Sequence, residues 1–264
     1  SKVDLKTSLF VFIHMEKGNL KTDEEFSNWM RSYYNKRAAK ISEKGYEYAR
    51  WFSSPRKIRQ YKFSTLSLLF HLRNIDFKNC LEIGCGPGTW TRLLIKKYPK
   101  SSFTCVDISK EMIRQFKKTI NSKNVKTIVT NFPEGKFNKK YDFIFSSRAI
   151  EYIPNKPSVI KKMHSLLKDG GKGMIITSHP HPRIILIKKA LGKKINVQHT
   201  QRISVKQMHS LLLKNHFRNI EFYPILFTDF KLAPTSLLFY RLYKKKWGIL
   251  SRLFATGYVV KFQK

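Results

Sequence analysis

The sequence predicts an α/β fold, a mostly parallel sheet covered by helices on both faces, and three observations predict it. The apolar pair Leu81 and Ile83 runs into the glycine-rich turn Gly84-Cys85-Gly86-Pro87-Gly88, after which Trp90, Leu93, Leu94 and Tyr98 recur at helical spacing. Residues 102–107 read as a second buried strand ending in Asp107, and residues 108–113 open another helix. Residues 125–130, 141–147 and 173–178 then read as further short apolar strands separated by helical stretches, the alternation that a parallel sheet buried on both faces requires.

The turn is the most informative element. Gly84, Gly86 and Gly88 stand at alternate positions, which permits backbone dihedrals closed to other residues and lets a ligand lie against the main chain. A nucleoside-sized ligand fits there. A phosphate cradle is excluded, because no Gly-Lys-Ser/Thr follows and the Gly-x-Gly-x-x-Gly register is absent. An acidic residue about 20 positions beyond such a loop, at the tip of the second strand, is where a ribose diol is held. Asp107 stands there relative to Gly86.

The run from Glu82 to Gly88, Glu-x-Gly-x-Gly-x-Gly, resembles the first motif of the class I S-adenosylmethionine-dependent methyltransferases. Asp107, the 141–147 strand and the 166–173 turn follow in that family's order, and the likeness leans to its ubiquinone and menaquinone branch with small-molecule or lipid acceptors. The resemblance implies a Rossmann-like seven-stranded sheet that ends in an antiparallel pair, 217–227 and 258–262. It implies residues 1–75 as an N-terminal helical lid over a methyltransferase domain at 76–264, with basic, apolar insertions at 179–203 and 228–254.

The resemblance also implies S-adenosyl-L-methionine as cofactor. Gly84, Cys85, Gly86 and Gly88 would pass along it, Glu82 would anchor its amino end through the loop, and Asp107 with Ile108 would take the ribose. Asn131 and Phe132 are expected at the adenine, although the family usually has an acidic residue where Asn131 stands. Tyr34 matches a lid tyrosine that closes on the methionine end, with ordinary helix packing as the competing reading. Ser146 and Arg148, at the end of the fourth strand, complete the set, Arg148 as a fixed cation for the cofactor carboxylate or an anionic acceptor.

The reaction type should show at that fourth strand. The Asn/Asp-Pro-Pro-aromatic grip of amino-directed nucleic-acid enzymes is missing, and no cysteine lies beyond Cys105 to attack a pyrimidine carbon. Where catechol-type relatives place metal ligands, this chain has Arg148, Glu151 and Tyr152, so metal assistance is not expected. Glu151 or Tyr152 would take a proton from a hydroxyl, against the plainer reading of a surface carboxylate and a packing tyrosine. His179, in His179-Pro180-His181-Pro182, is a further candidate base, and a zinc pair there would lack other ligands.

Charge adds a partner question. Lys and Arg number 52 against 17 Asp and Glu, a formal +35. Such a surface meets polyanions, whether nucleic acid, an acidic membrane face or a phosphorylated glycolipid, unless it is simply a lysine-rich solvated surface. The two insertions mix leucines, aromatics and cations in the manner of membrane-surface segments. No stretch approaches the roughly 20 apolar residues of a spanning helix, and residues 9–13 are too short for a signal sequence. Cysteines 80, 85 and 105 show neither disulfide nor metal spacing, which points to a reducing, cytoplasmic setting, and the two insertions add the expectation of peripheral attachment at the inner membrane face. The expected function is methyl transfer to oxygen or carbon of a small or lipid-linked acceptor. An RNA methyltransferase and a non-catalytic cofactor-binding subunit are the rivals.

Overall fold

The structure is a computed structural model that describes residues 22–40, 45–180, 201–225, 244–249, 251 and 255–264. An N-terminal helix α1 (Asp23–Lys40) is followed by a helical turn (Gly45–Glu47), a π-helical segment (Tyr48–Phe52) and α2 (Pro55–His71). Strands β1 (Asn79–Ile83), β2 (Ser102–Asp107), β3 (Val125–Val129) and β4 (Tyr141–Ser147) then alternate with α3 (Thr89–Lys97) and α4 (Lys110–Thr119). After α5 (Lys156–Leu166) come β5 (Leu167–Ser178), α6 (Val205–Lys214), β6 (Arg218–Ile225) and β7 (Gly257–Gln263).

The seven strands form one sheet in the order β3-β2-β1-β4-β5-β7-β6. Strands β1 to β5 are parallel, and β7 runs antiparallel to both β5 and β6, the antiparallel close that the resemblance implies. Alternation decides the two cores. Phe143 and Phe145 of β4 pack on one face with Leu94, Ile113 and Phe116 of α3 and α4. Ile144 between them packs on the other face with Val159, Ile160 and Met163 of α5. A central strand buried on both faces therefore reads as a continuous apolar run, which is why the strands were legible.

Helix starts follow their caps. Ser54 accepts from the Lys57 N–H ahead of Pro55, Ser109 from Met112, and Asn155 from Ser158. Ser204 opens α6 with a full capping box shared with Gln207.

The 166–173 stretch, read as a turn, is instead the start of β5. Between the pairs Tyr141–Leu167 and Phe143–Lys172, β5 advances further than β4, so the glycine-rich residues form a bulge inside the strand. The N-terminal helices are tied to the sheet layer: Ser109 Oγ donates to Asn35 Oδ1 at 2.7 Å, and Gln115 Nε2 to the Ala38 carbonyl at 2.9 Å. Most of the two insertions lies outside the described residues. Among those described, no helix is long and apolar enough to cross a membrane.

Gly173 marks a tight point between β5 and β7. A Cβ there would come within 2.1 Å of the Phe262 ring, which is itself held against Phe217 at 4.6 Å between centroids. Gly173→Ala is expected to destabilise by about 1–3 kcal/mol through overpacking. A lower urea midpoint at unchanged slope would show it; an unchanged midpoint would mean that Phe262 has room to yield.

Candidate functional site

The sheet order sets out the site before any side chain is considered. The C-terminal ends of β3, β2, β1 and β4 lie side by side, about 4.8 Å apart, and the loops beyond them carry Asn131 and Phe132, then Asp107 and Ile108, then Gly84 to Gly86, then Ser147 and Arg148. All of these line one cavity of about 1070 Å³, its open mouth included, with Tyr34, Tyr46, Arg50 and Trp51 closing it from the N-terminal segment. The row spans roughly 15 Å, the length of a nucleoside carrying an amino-acid tail.

The glycine loop hangs on β2. The Gly84 and Cys85 N–H groups donate to the Val106 carbonyl at 2.7 and 3.0 Å. Gly84 and Gly86 have φ of 71° and 54°. A Cβ at Gly84 would stand 2.1 Å from that of Ala149, whereas a Cβ at Gly86 would meet nothing within 4 Å. Gly86 thus opens onto the cavity as a cradle that a side chain would fill. Asp107 fixes this geometry: Oδ2 accepts from the Gly86 N–H at 2.8 Å and Oδ1 from the Ser109 N–H at 2.9 Å. Burial raises its carboxyl to about 6, against the lowering effect of those backbone donors. Each oxygen keeps a lone pair for a diol.

Several expected contacts lie elsewhere. Gly88 caps α3 and does not line the cavity; its Cβ position is filled by Ile120 and Phe116. Glu82 also faces away. It accepts from Thr91 Oγ1 at 2.6 Å beside Cys105, and burial raises its carboxyl to about 8, so it anchors the first turn of α3 beneath the loop. Ser146 points into the sheet, donating to the Ile83 carbonyl at 2.9 Å. Its neighbour Ser147 lines the cavity instead, as strand alternation requires.

Asn131 and Phe132 do line the cavity, both buried. The Asn131 amide donates to Glu134 Oε1 at 2.6 Å, so a carboxylate stands behind the amide where an acidic residue was expected. Tyr34 meets Tyr152 edge to face at 5.8 Å and shares a hydrogen bond with it. Both hydroxyls are pushed up by burial, Tyr152 to about 12 with the Glu151 charge adding to the effect.

Glu151 is wholly buried, not a surface carboxylate, and does not line the cavity. It pairs with Arg148 at 3.0 Å and accepts from Thr177 Oγ1 at 2.9 Å, the Ser178 N–H at 2.7 Å and Ser178 Oγ at 3.3 Å. Burial would raise its carboxyl, but Arg148 and these donors bring it down to about 2. It takes up no proton in the neutral range and serves to hold Arg148. Arg148 itself adopts φ 59°, a left-handed conformation secured by its N–H on the Ile176 carbonyl at 2.8 Å, and it faces the cavity.

His179 sits outside the cavity, its ring stacked on Trp247 at 5.3 Å and its N–H on the Thr256 carbonyl at 3.0 Å. Among the described residues no group of three His, Cys, Asp or Glu could hold a metal. Besides Ser147, the lining residues that sequence reasoning missed include Tyr46, Arg50 and Trp51. The signal available was the cluster of aromatics and arginine between Tyr46 and Phe52, just before the Ser54-Pro55 helix start.

The family described as a methyltransferase domain matches residues 56–221. A malonyl-[acyl-carrier protein] O-methyltransferase of Ilyobacter polytropus is 40% identical over 94 residues, 35% of this chain and 36% of that protein. A trans-aconitate 2-methyltransferase of Rhodopseudomonas palustris is 29% identical over 96 residues, 36% of this chain and 37% of that protein. The matches thus span little more than a third of these curated relatives. Among solved structures, the N-methyltransferase NodS of Bradyrhizobium japonicum, in complex with S-adenosyl-l-homocysteine, has a TM-score of 0.58 at 13% identity, covering 89% of this chain and 97% of that one. A Mesorhizobium loti S-adenosylmethionine-dependent methyltransferase has 0.56 at 18%, covering 75% and 96%.

Two expectations follow from the carboxylates. Asp107→Asn should weaken S-adenosylhomocysteine binding about tenfold, ~1.4 kcal/mol, and remove the loss of wild-type affinity expected as pH falls through about 6. Equal affinities at pH 7.5 would take the ribose role from Asp107. For Glu82, the folded value of about 8 lies above the ordinary 4.5, so its contribution to stability is full below pH 4.5 and is lost as pH rises through 8. Glu82→Gln should therefore gain on wild type between pH 5 and 9, by about 2–5 kcal/mol in denaturant titrations. A pH-independent difference would mean that Glu82 ionises normally.

Proposed function

This chain belongs to the methyltransferase domain family, in a class I S-adenosylmethionine-dependent fold, and we propose that it moves a methyl group from S-adenosylmethionine to oxygen or carbon of a small acceptor. The observation that carries the reading is the row of ligand-facing groups on four adjacent strand ends, from Asn131 to Arg148, in one cavity. The open face of Gly86 and the carboxylate of Asp107 beside it support that reading, since a ligand backbone and a diol would find space and acceptors there.

When bound, the cofactor supplies a methyl group on a sulfonium. The chain's own residues supply place and surroundings. The Gly84–Gly86 backbone carries the tail, Asp107 accepts from the ribose diol, and Asn131 with Phe132 borders the adenine. Tyr34, Tyr46, Trp51 and Tyr152 help wall the cavity, where π faces suit a sulfonium and keep out water. Glu151 holds Arg148 toward the acceptor. Positioning accounts for much of the rate in a displacement of this kind.

The printed names of the relatives, a malonyl-carrier O-methyltransferase and a trans-aconitate methyltransferase, support a small or carrier-linked acceptor and favour oxygen. The +35 charge supports an anionic setting for it, a membrane face with a lipid-linked acceptor included. Sedimentation with anionic vesicles at low and high salt tests that extension.

Calorimetric titration of S-adenosylmethionine into the purified protein tests the core reading. Saturable one-to-one binding is expected, followed by labelled methyl transfer to organic acids. Folded protein that binds neither S-adenosylmethionine nor S-adenosylhomocysteine would sink it.

A further inference from the structure

We propose that the group methylated is a carboxylate and that Arg50 receives it, an inference that rests on the methyl-transfer reading above. Arg50 lies in the π-helical segment Tyr48–Phe52. π segments are rare, and they concentrate at functional sites because the extra residue per turn redirects a side chain. Here Trp51 is buried beneath, 5% exposed, while Arg50 lines the cavity with its guanidinium 4.0 Å over the Trp51 ring.

The charges around Arg50 call for an anion. The charged and titratable groups facing it are Arg148, Tyr46, Tyr152 and Arg37, and burial together with Arg148 lowers its own proton affinity. Arg148 is already committed to Glu151. Among the described residues no carboxylate forms an ion pair with Arg50. A half-buried guanidinium facing another across the cavity is costly, and an incoming carboxylate relieves that cost in the planar, two-pronged geometry for which arginine is built. An amine acceptor, cationic at neutral pH, would meet two guanidiniums.

The supply of bases leads to the same acceptor. The described residues lining the cavity include no histidine and one carboxylate, Asp107, which is engaged at the β2 end by Gly86 and Ser109. Tyr34, Tyr46 and Tyr152 hold their protons more tightly than free tyrosine, chiefly because they are buried. An alcohol would have no group here to take its proton. A carboxylic acid arrives ionised, at an ordinary value near ~4. One carboxylate oxygen then bonds to the methyl carbon as the carbon–sulfur bond breaks, and the bonding pair stays on sulfur. The anion and the sulfonium become a neutral methyl ester and a neutral thioether, and no proton moves. The ester no longer attracts Arg50, so the same residue that admits the substrate lets the product go.

The test uses the full chain loaded with S-adenosylhomocysteine. Malonate, succinate, trans-aconitate and benzoate, each paired with its methyl ester and its amide, are titrated calorimetrically into wild type, Arg50→Gln and Arg50→Lys. At least one acid should bind while its neutral counterparts do not. Arg50→Gln should weaken that acid tenfold or more, Arg50→Lys by less, and neither should change S-adenosylhomocysteine affinity more than about twofold, a range small against the tenfold effect. With the methyl donor, turnover of the bound acid should stay level from pH 7 to 9. Three results would each overturn the proposal: no acid binding, equal binding of acid and amide, or an Arg50→Gln loss that falls on S-adenosylhomocysteine instead. The last would assign Arg50 to the cofactor's own carboxylate. Failure of wild type to bind S-adenosylhomocysteine would strike the cofactor reading and is seen separately, before any acid is added.

Discussion

Glu151 joins the exit of β4 to the tip of β5 through a single buried carboxylate. The Ser178 N–H, Ser178 Oγ and Thr177 Oγ1 reach it from β5, while Arg148 reaches it from three residues back on its own loop. Removing one partner of such a pair costs about 3–5 kcal/mol, yet the intact pair contributes little net stability after desolvation. Its value is geometric. It fixes a left-handed Arg148 and so decides which charge faces the cavity. Asp107 does the same two strands away, joining the β1 loop to the start of α4 through two backbone N–H groups. The site therefore hangs between two carboxylates of opposite character, one held near 2 by an arginine and one raised to about 6 by burial.

That contrast explains which parts of the site were legible in the sequence. Strands flanked by helices leave apolar runs, a loop under a ligand leaves glycines, and a strand-tip carboxylate follows at a set interval, so Gly84, Gly86 and Asp107 could be placed without coordinates. Glu151 could not. Nothing in its local sequence reveals Thr177 and Ser178, which lie a whole helix and strand later and turn an apparent base into an anchor. Ser146 failed on parity, since a shift of one residue along a strand reverses the face that a side chain meets. The β5 bulge failed because glycines at 170, 171 and 173 signal a turn equally well inside or outside a ladder. Arg50 was hidden by a π turn, whose extra residue breaks the 3.6 period on which helical faces are judged.

The same view clarifies the charge. With 17 acidic residues against 52 basic ones, the chain spends Glu82, Asp107 and Glu151 on the interior around the loop and the cavity. Described surface pairs such as Asp142 with Lys168 or Glu221 with Lys246 neutralise only a small part of the excess. The outer surface is consequently left positive. Such a field acts on encounter: it draws anionic molecules toward the protein, and at physiological salt it is screened beyond about 8 Å. Inside the cavity screening is weak, and the charge that counts is local. An anionic acceptor would gain from both ranges, the surface raising how often it arrives and the cavity arginines, Arg50 and Arg148, deciding whether it stays. A neutral or cationic acceptor gains from neither, so the +35 of the sequence and the arginine-lined wall of the structure favour the same chemistry.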